Sequence, residues 1–234
     1  MHDNTIYLCS PVNALVEGIY EENVSLREIK EHGDFGLGTF NDLDGEMVIL
    51  DGNVYQVRSD DCVTVVGDDE KTPFAGVVFY RPLSCELFDH EMDYETFTIW
   101  INRLLPSPNL LYAIRVDGLF AHVKTRSVPK QENYRPLVEV TKEQPTFNFT
   151  NLEGTLAGFF TPSFMASVSV PGLHLHFLSA DLKCGGHLLE CRPPRGRIGI
   201  QFVNKLELSL PISVDYLTWD FTRDMHKDLN EAER

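Results

Sequence analysis

The run Leu173-His174-Leu175-His176-Phe177 and the later run His187-Leu188-Leu189-Glu190-Cys191 read as the two arms of a β-hairpin. Successive side chains of a strand alternate faces, so His174 and His176 point the same way. On a helix they would diverge by roughly 200°. The intervening Ser179-Ala180-Asp181-Leu182-Lys183-Cys184-Gly185-Gly186 supplies the turn. A hairpin symmetric about Asp181-Leu182 sets His176 opposite His187, and three imidazoles then converge on one face. Three nitrogen ligands with room left for water or substrate are the arrangement of a catalytic zinc rather than a structural one.

Other readings of the cluster fit less well. Cys184 lies in the turn, where it is a poor partner for the strand face, and no second cysteine has the spacing that closes a four-ligand structural site. Cupin barrels also use a His-x-His pair, followed by a glutamate about four residues on. Here that place holds Ala180 and then Asp181, which weakens a cupin-like dioxygenase or isomerase. A non-catalytic module with structural zinc is the third reading.

Outward from the hairpin, the second half of the chain reads mostly as strands: 109–116, a turn at Asp117-Gly118, 119–127, 154–161, 167–179, 187–192 and 197–209. A terminal helix is expected over about 222–233. In the first half, Ser10-Pro11 ahead of Val12, Leu15, Val16 and Ile19 predicts an amphipathic helix with Ser10 as N-cap. Ser25-Leu26-Arg27-Glu28 fits a capping box, with Gly33 placed to stop the helix. Two Asp-Gly pairs, 44–45 and 51–52, flank Glu46-Met47-Val48-Ile49-Leu50 and predict hairpins, and 74–81 reads as another strand. Phe97, Trp100, Ile101 and Leu104 predict a helix over 94–105, ended by Pro106. The sum is an α+β fold with mixed, largely antiparallel sheet, a few flanking helices and a C-terminal helix. No linker-like stretch interrupts the 234 residues, so one domain is expected over 1–234, with lobes at about 1–105 and 106–234.

The chain is 43% hydrophobic and 11% aromatic, ample for a sizeable core. Its formal charge of −15 repels a phosphate backbone, so nucleic acid is not an expected partner. An anionic small substrate would need local positive charge against that background. No run reaches the roughly 18 apolar residues of a membrane span. Met1-His2-Asp3-Asn4 lacks the start of a secretory signal. Five scattered cysteines, an odd number without a Cys-x-x-Cys pair, suggest a reduced cytoplasmic protein.

Pro171-Gly172-Leu173-His174-Leu175-His176-Phe177 with Gly185-Gly186-His187-Leu188-Leu189 resembles the metal-binding segment of the bacterial alpha-acetolactate decarboxylases. Three further segments resemble that family in the same order: 32–46 (His-Gly-Asp-Phe-Gly-Leu-Gly-Thr-Phe-Asn-Asp-Leu-Asp-Gly-Glu), Lys71-Thr72-Pro73-Phe74-Ala75, and Ile114 to Gly118 followed by Thr125-Arg126-Ser127-Val128-Pro129. The resemblance implies decarboxylation of 2-acetolactate to acetoin and carbon dioxide, a zinc ion and usually a dimer. It implies His174, His176 and His187 as ligands, and Thr39, Glu46 and Arg126 as active-site residues. It further implies a carboxylate from the C-terminal tail, best matched by Glu233, with Glu231 as the alternative.

The chemistry is consistent with such a set. Loss of carbon dioxide from this β-keto acid leaves an electron pair that must be held as an enediolate, and a metal acts as a Lewis acid toward it. No pyridoxal or thiamine is then needed, and the chain has no phosphate-cradling loop of Walker or Rossmann spacing. Arg126 would bind the carboxylate through its planar fork. Glu46 would move a proton or anchor the hydroxyl, and Thr39 would donate a hydrogen bond to the substrate.

Overall fold

The computed structural model describes residues 1–234 apart from 1–3, 22, 23, 134, 223–227, 230, 231, 233 and 234. The first half contains β1 (Thr5–Leu8), α1 (Val12–Val16), β2 (Val24–Ser25), α2 (Leu26–His32), β3 (Phe35–Thr39), β4 (Glu46–Leu50), β5 (Asn53–Val57), β6 (Val63–Val65), β7 (Lys71–Thr72), β8 (Ala75–Val78), β9 (Ser84–Phe88) and α3 (Tyr94–Leu104). The second half contains β10 (Leu111–Arg126), α4 (Leu137–Val140), β11 (Thr146–Thr161), β12 (Gly172–Ser179), β13 (Gly185–Arg192), β14 (Arg195–Val203), β15 (Lys205–Leu208) and α5 (Val214–Thr218).

Two large sheets carry the molecule. The first runs β15-β1-β8-β3-β4-β5-β6 and the second β11-β12-β13-β10-β14-β9. All pairings in them are antiparallel except β1 with β15. The fold is therefore α+β with mixed, mostly antiparallel sheet, as the hairpin punctuation implies. β10 and β11 also pair with each other, which closes β11, β12, β13 and β10 into a ring. The core of the second sheet packs Phe97 and Ile101 of α3 against Tyr112, Phe120 and Phe177. Leu37 and Val48 of the first sheet meet Ala157 and Leu178 of the second. That inter-sheet contact places the histidine hairpin against β4.

Several boundaries differ from expectation for local reasons. Residues 111–126 form one unbroken strand through Asp117-Gly118. Gly118 pairs with Gly154 on one side and Gly196 on the other, and Arg115 and Thr155 engage the Asp117 carboxylate. Pairing on both flanks overrides the turn signal of the dipeptide. In α1, Pro11 rather than Ser10 is the N-cap, and the helix stops at Val16 before Gly18 at φ 88°, so Ile19 lies beyond it. The strand expected from 167 begins only at Gly172. The strand expected over 197–209 divides at Asn204 into β14 and β15, which belong to different sheets.

α2 agrees with its capping box, since the Ser25 hydroxyl accepts from the Glu28 N–H and Gly33 is the C-cap. The expected 222–233 helix lies largely outside the described residues, of which Asp228, Leu229 and Ala232 are helical. β9 crosses from the first half to the second sheet and β15 crosses in return. The five cysteines are unbridged. Among the described residues no helix is long and apolar enough to cross a membrane.

Candidate metal centre

His176 of β12 pairs directly with His187 of β13, the register set by a turn centred on Asp181-Leu182. Leu182 takes a left-handed φ of 58° there. His174 lies two residues back on the same face, and the three ring centroids are 5.0 to 5.3 Å apart. One nitrogen from each ring lies within 4.8 Å of the others. His176 and His187 are buried, while His174 keeps some contact with the pocket beside it.

The protonation of the cluster suits a cation. Burial, and then the Arg126 guanidinium, push the His174 pKa down to about 3. Burial likewise holds His176 well below its ordinary value, helped by His174 and Arg126 and opposed by a bond to the Met47 carbonyl. That bond, 2.8 Å from Nδ1 to Met47 O, assigns the hydrogen to Nδ1. The Nε2 lone pair then points into the cluster. Buried Nε2 has no hydrogen-bond partner, and Glu46 Oε2 at 3.4 Å lies outside hydrogen-bonding geometry. Two neutral imidazoles, one with an unsatisfied lone pair and a fixed tautomer, fit a divalent metal ion together with the adjacent His187.

Glu46 begins β4, where it pairs with Thr39 of β3 and Val57 of β5. Arg126 ends β10 and pairs with His187. Their side chains meet at 3.1 Å, Nη1 to Oε1, with relative exposures of 4% and 6%. A buried ion pair is weak evidence for stability, because desolvation offsets its attraction. This pair instead sets a cation and a carboxylate beside the histidines, and it answers the need for local positive charge in an acidic chain. Arg126 Nη2 also donates to Ala232 O at 3.0 Å. Arg126 is thus no surface strand arginine.

Thr39 lines the same pocket, but its hydroxyl donates to Gly45 O at 2.7 Å. It therefore secures the β3–β4 connection and offers the pocket an acceptor rather than a donor. Glu233 and Glu231 lie outside the described residues. Asp181 bonds Ser179 in the turn, away from the cluster.

The pocket is a small cavity of about 30 Å³, lined by this polar cluster and by a wall of apolar side chains that include Val12, Leu43, Phe74, Leu137 and Val170. Sequence reading missed the wall and the Met47 carbonyl. The wall residues are scattered along the chain as ordinary core hydrophobes, and a backbone carbonyl carries no sequence signal.

The profile of the alpha-acetolactate decarboxylase family matches residues 6–223. The chain belongs to the alpha-acetolactate decarboxylase family. The alpha-acetolactate decarboxylase of Bacillus subtilis strain 168 is 40% identical over 230 residues, covering 97% of this chain and 90% of that protein. The one from Raoultella terrigena is 39% identical, with 98% and 88% covered. An X-ray structure of the Bacillus subtilis strain 168 alpha-acetolactate decarboxylase superposes with a TM-score of 0.95 at 39% identity, covering 98% of this chain and 99% of that one. The family resemblance of the histidine segments therefore extends through the whole fold.

Proposed function

We propose that this chain decarboxylates 2-acetolactate to acetoin and carbon dioxide as a zinc-dependent carboxy-lyase. The observation that carries the reading is the convergence of three metal-competent histidines and a buried Glu46–Arg126 pair on one pocket. His174, His176 and His187 would hold the zinc, which supplies Lewis acidity toward the ketone and hydroxyl oxygens when bound. Arg126 binds the substrate carboxylate through its guanidinium fork, in place of its present bond to Ala232 O. Glu46, partly released from Arg126 by the arriving carboxylate, holds a proton and delivers it to the carbon that loses carbon dioxide. Thr39 keeps the β3–β4 connection in place and accepts a hydrogen bond from the substrate hydroxyl. The apolar wall leaves the alkyl groups unsolvated and excludes water.

Residues 1–234 form one domain in this reading, supported by the exchange of β9 and β15 between the sheets. A homodimer is also part of it, supported by apolar side chains exposed along the β15–α5 arm, among them Leu210, Ile212 and Val214. The unbridged cysteines support a cytoplasmic location. Metal analysis with an acetoin assay tests the function. About one zinc per chain and acetoin well above the spontaneous rate are expected, and zinc-loaded protein that fails to exceed that rate would sink it.

A further inference from the structure

Leu43 stands apart from the rest of the pocket wall. Its backbone adopts a left-handed φ of 54°, directly after Asp42 at 62°. Two consecutive non-glycine residues in that region are uncommon, and for a bulky side chain the conformation is strained. Of the residues described around the pocket, Leu43 alone combines a side chain with a positive φ.

The strain persists because the connection is held from several directions. The Asp42 N–H donates to Tyr20 O at 2.9 Å, and the Gln131 N–H donates to Asp42 O at 2.7 Å. Lys130 pairs with the Asp42 carboxylate at 3.1 Å. Gln56 Nε2 donates to Asp44 O at 2.6 Å, and Thr39 reaches Gly45 O. Four separate parts of the chain thus fix a turn whose own preference is otherwise. The outcome is a side chain, 1% exposed, presented rigidly to the pocket. Other wall residues, such as Val12 in α1 and Val128 after β10, sit on ordinary backbone.

A 2-hydroxy-2-alkyl-3-oxo acid has three oxygen-bearing groups, for which the histidine face, Glu46 and Arg126 are suited. Only its alkyl substituents remain for the apolar lining, to which Leu43 belongs. We propose that Leu43 is the specificity-determining residue that limits the size of the alkyl substituents the pocket accepts. The inference rests on the function proposed above, since it assumes that class of substrate.

The test uses 2,3-dihydroxy-2-alkylbutanoates, in which the ketone is reduced and carbon dioxide cannot leave. Calorimetry gives dissociation constants for the methyl, ethyl and propyl members with wild-type, Leu43→Ala and Leu43→Gly metal-loaded protein. Wild type should weaken with each added methylene, whereas the variants should raise the propyl-to-methyl affinity ratio by about 10-fold or more. Leu43→Gly tolerates the left-handed backbone without strain, so it reports even where Leu43→Ala does not fold. An unchanged ratio in variants that bind and melt in one transition overturns the role of Leu43 alone, as does equal weakening of all three ligands. Wild type that binds none of the three overturns the functional reading together with this one.

Discussion

At His176 the two ring nitrogens are divided between the two sheets. Nδ1–H donates to Met47 O of β4, while the ring neighbours His174 on its own strand and His187 across the hairpin. His176→Ala removes a proposed ligand and the tautomer lock together, so metal content and turnover should fall in parallel in a metal analysis run beside the acetoin assay. Zinc retained at one per chain with full activity would refute the ligand assignment. The Glu46–Arg126 pair allows a different separation. Glu46→Gln keeps the shape of the site and removes only the titrating carboxylate, so zinc should stay while kcat drops roughly 10²- to 10⁴-fold. Arg126→Ala would leave Glu46 buried without this partner and destabilise the fold by about 3–5 kcal/mol. Arg126→Lys keeps the charge but loses the fork, and should lower kcat/KM by roughly 10²-fold with a smaller change in melting temperature. Full turnover by either conservative variant would remove that residue from the mechanism.

At the scale of elements, the position of His174 depends on a strand that contributes no ligand. β11 pairs with β12 so that Phe159 faces His174 and Gly158 faces Leu175. A Cβ on Gly158 would lie 2.0 Å from His174 O and 2.9 Å from Leu37 Cδ2. Gly158→Ala must therefore push β11 away from both β12 and the first sheet. Destabilisation of about 1–3 kcal/mol is expected in a denaturant melt, with zinc affinity weakened as well. Unaltered zinc affinity would mean that the hairpin holds His174 without help from β11. The hairpin itself was legible in the sequence, because strand alternation and a symmetric turn are local properties. The continuity of β10 was not legible, since Asp117-Gly118 carries a turn signal that only two-sided pairing with β11 and β14 suppresses.

At the scale of the molecule, the centre is a seam between two sheets. Ser127 Oγ donates to Val57 O at 2.7 Å, His176 reaches Met47, and Arg126 reaches Glu46. Gly185, the first residue of β13, lies with its N–H 3.5 Å from the Asp61 carboxylate, which follows β5. Burial, with Asp60 adding to it and the Gly185 bond opposing, raises the Asp61 pKa to about 6. A carboxyl raised in the folded state contributes stability below the unfolded value of 3.8 and loses it as pH rises through about 6. Asp61→Asn keeps an acceptor for Gly185 and tolerates the left-handed φ of 64°. Its melting temperature should match wild type near pH 4 and exceed it at pH 7 to 8, and an equal gap at both ends would refute the assignment.

Removal of the zinc proposed for the three histidines would act on the same seam. All three histidines sit on strands whose ladders close without a metal. A chelator should therefore lower the melting temperature while leaving the circular dichroism of the folded protein unchanged. Unfolding on chelation at room temperature would make the zinc structural instead.

The sequence by itself determined the α+β class, the His174, His176 and His187 face and the opposition of His176 to His187. These follow from side-chain alternation and turn symmetry, which operate over a few residues. The family segments around Thr39, Glu46 and Arg126 were readable too, but not what each group does. Only the tertiary structure decided that Thr39 turns its hydroxyl hydrogen to Gly45, that Met47 orients His176, and that Leu43 stands strained against the pocket. Each depends on a contact between segments far apart in the chain, where burial and the need to satisfy buried polar atoms outweigh local preference.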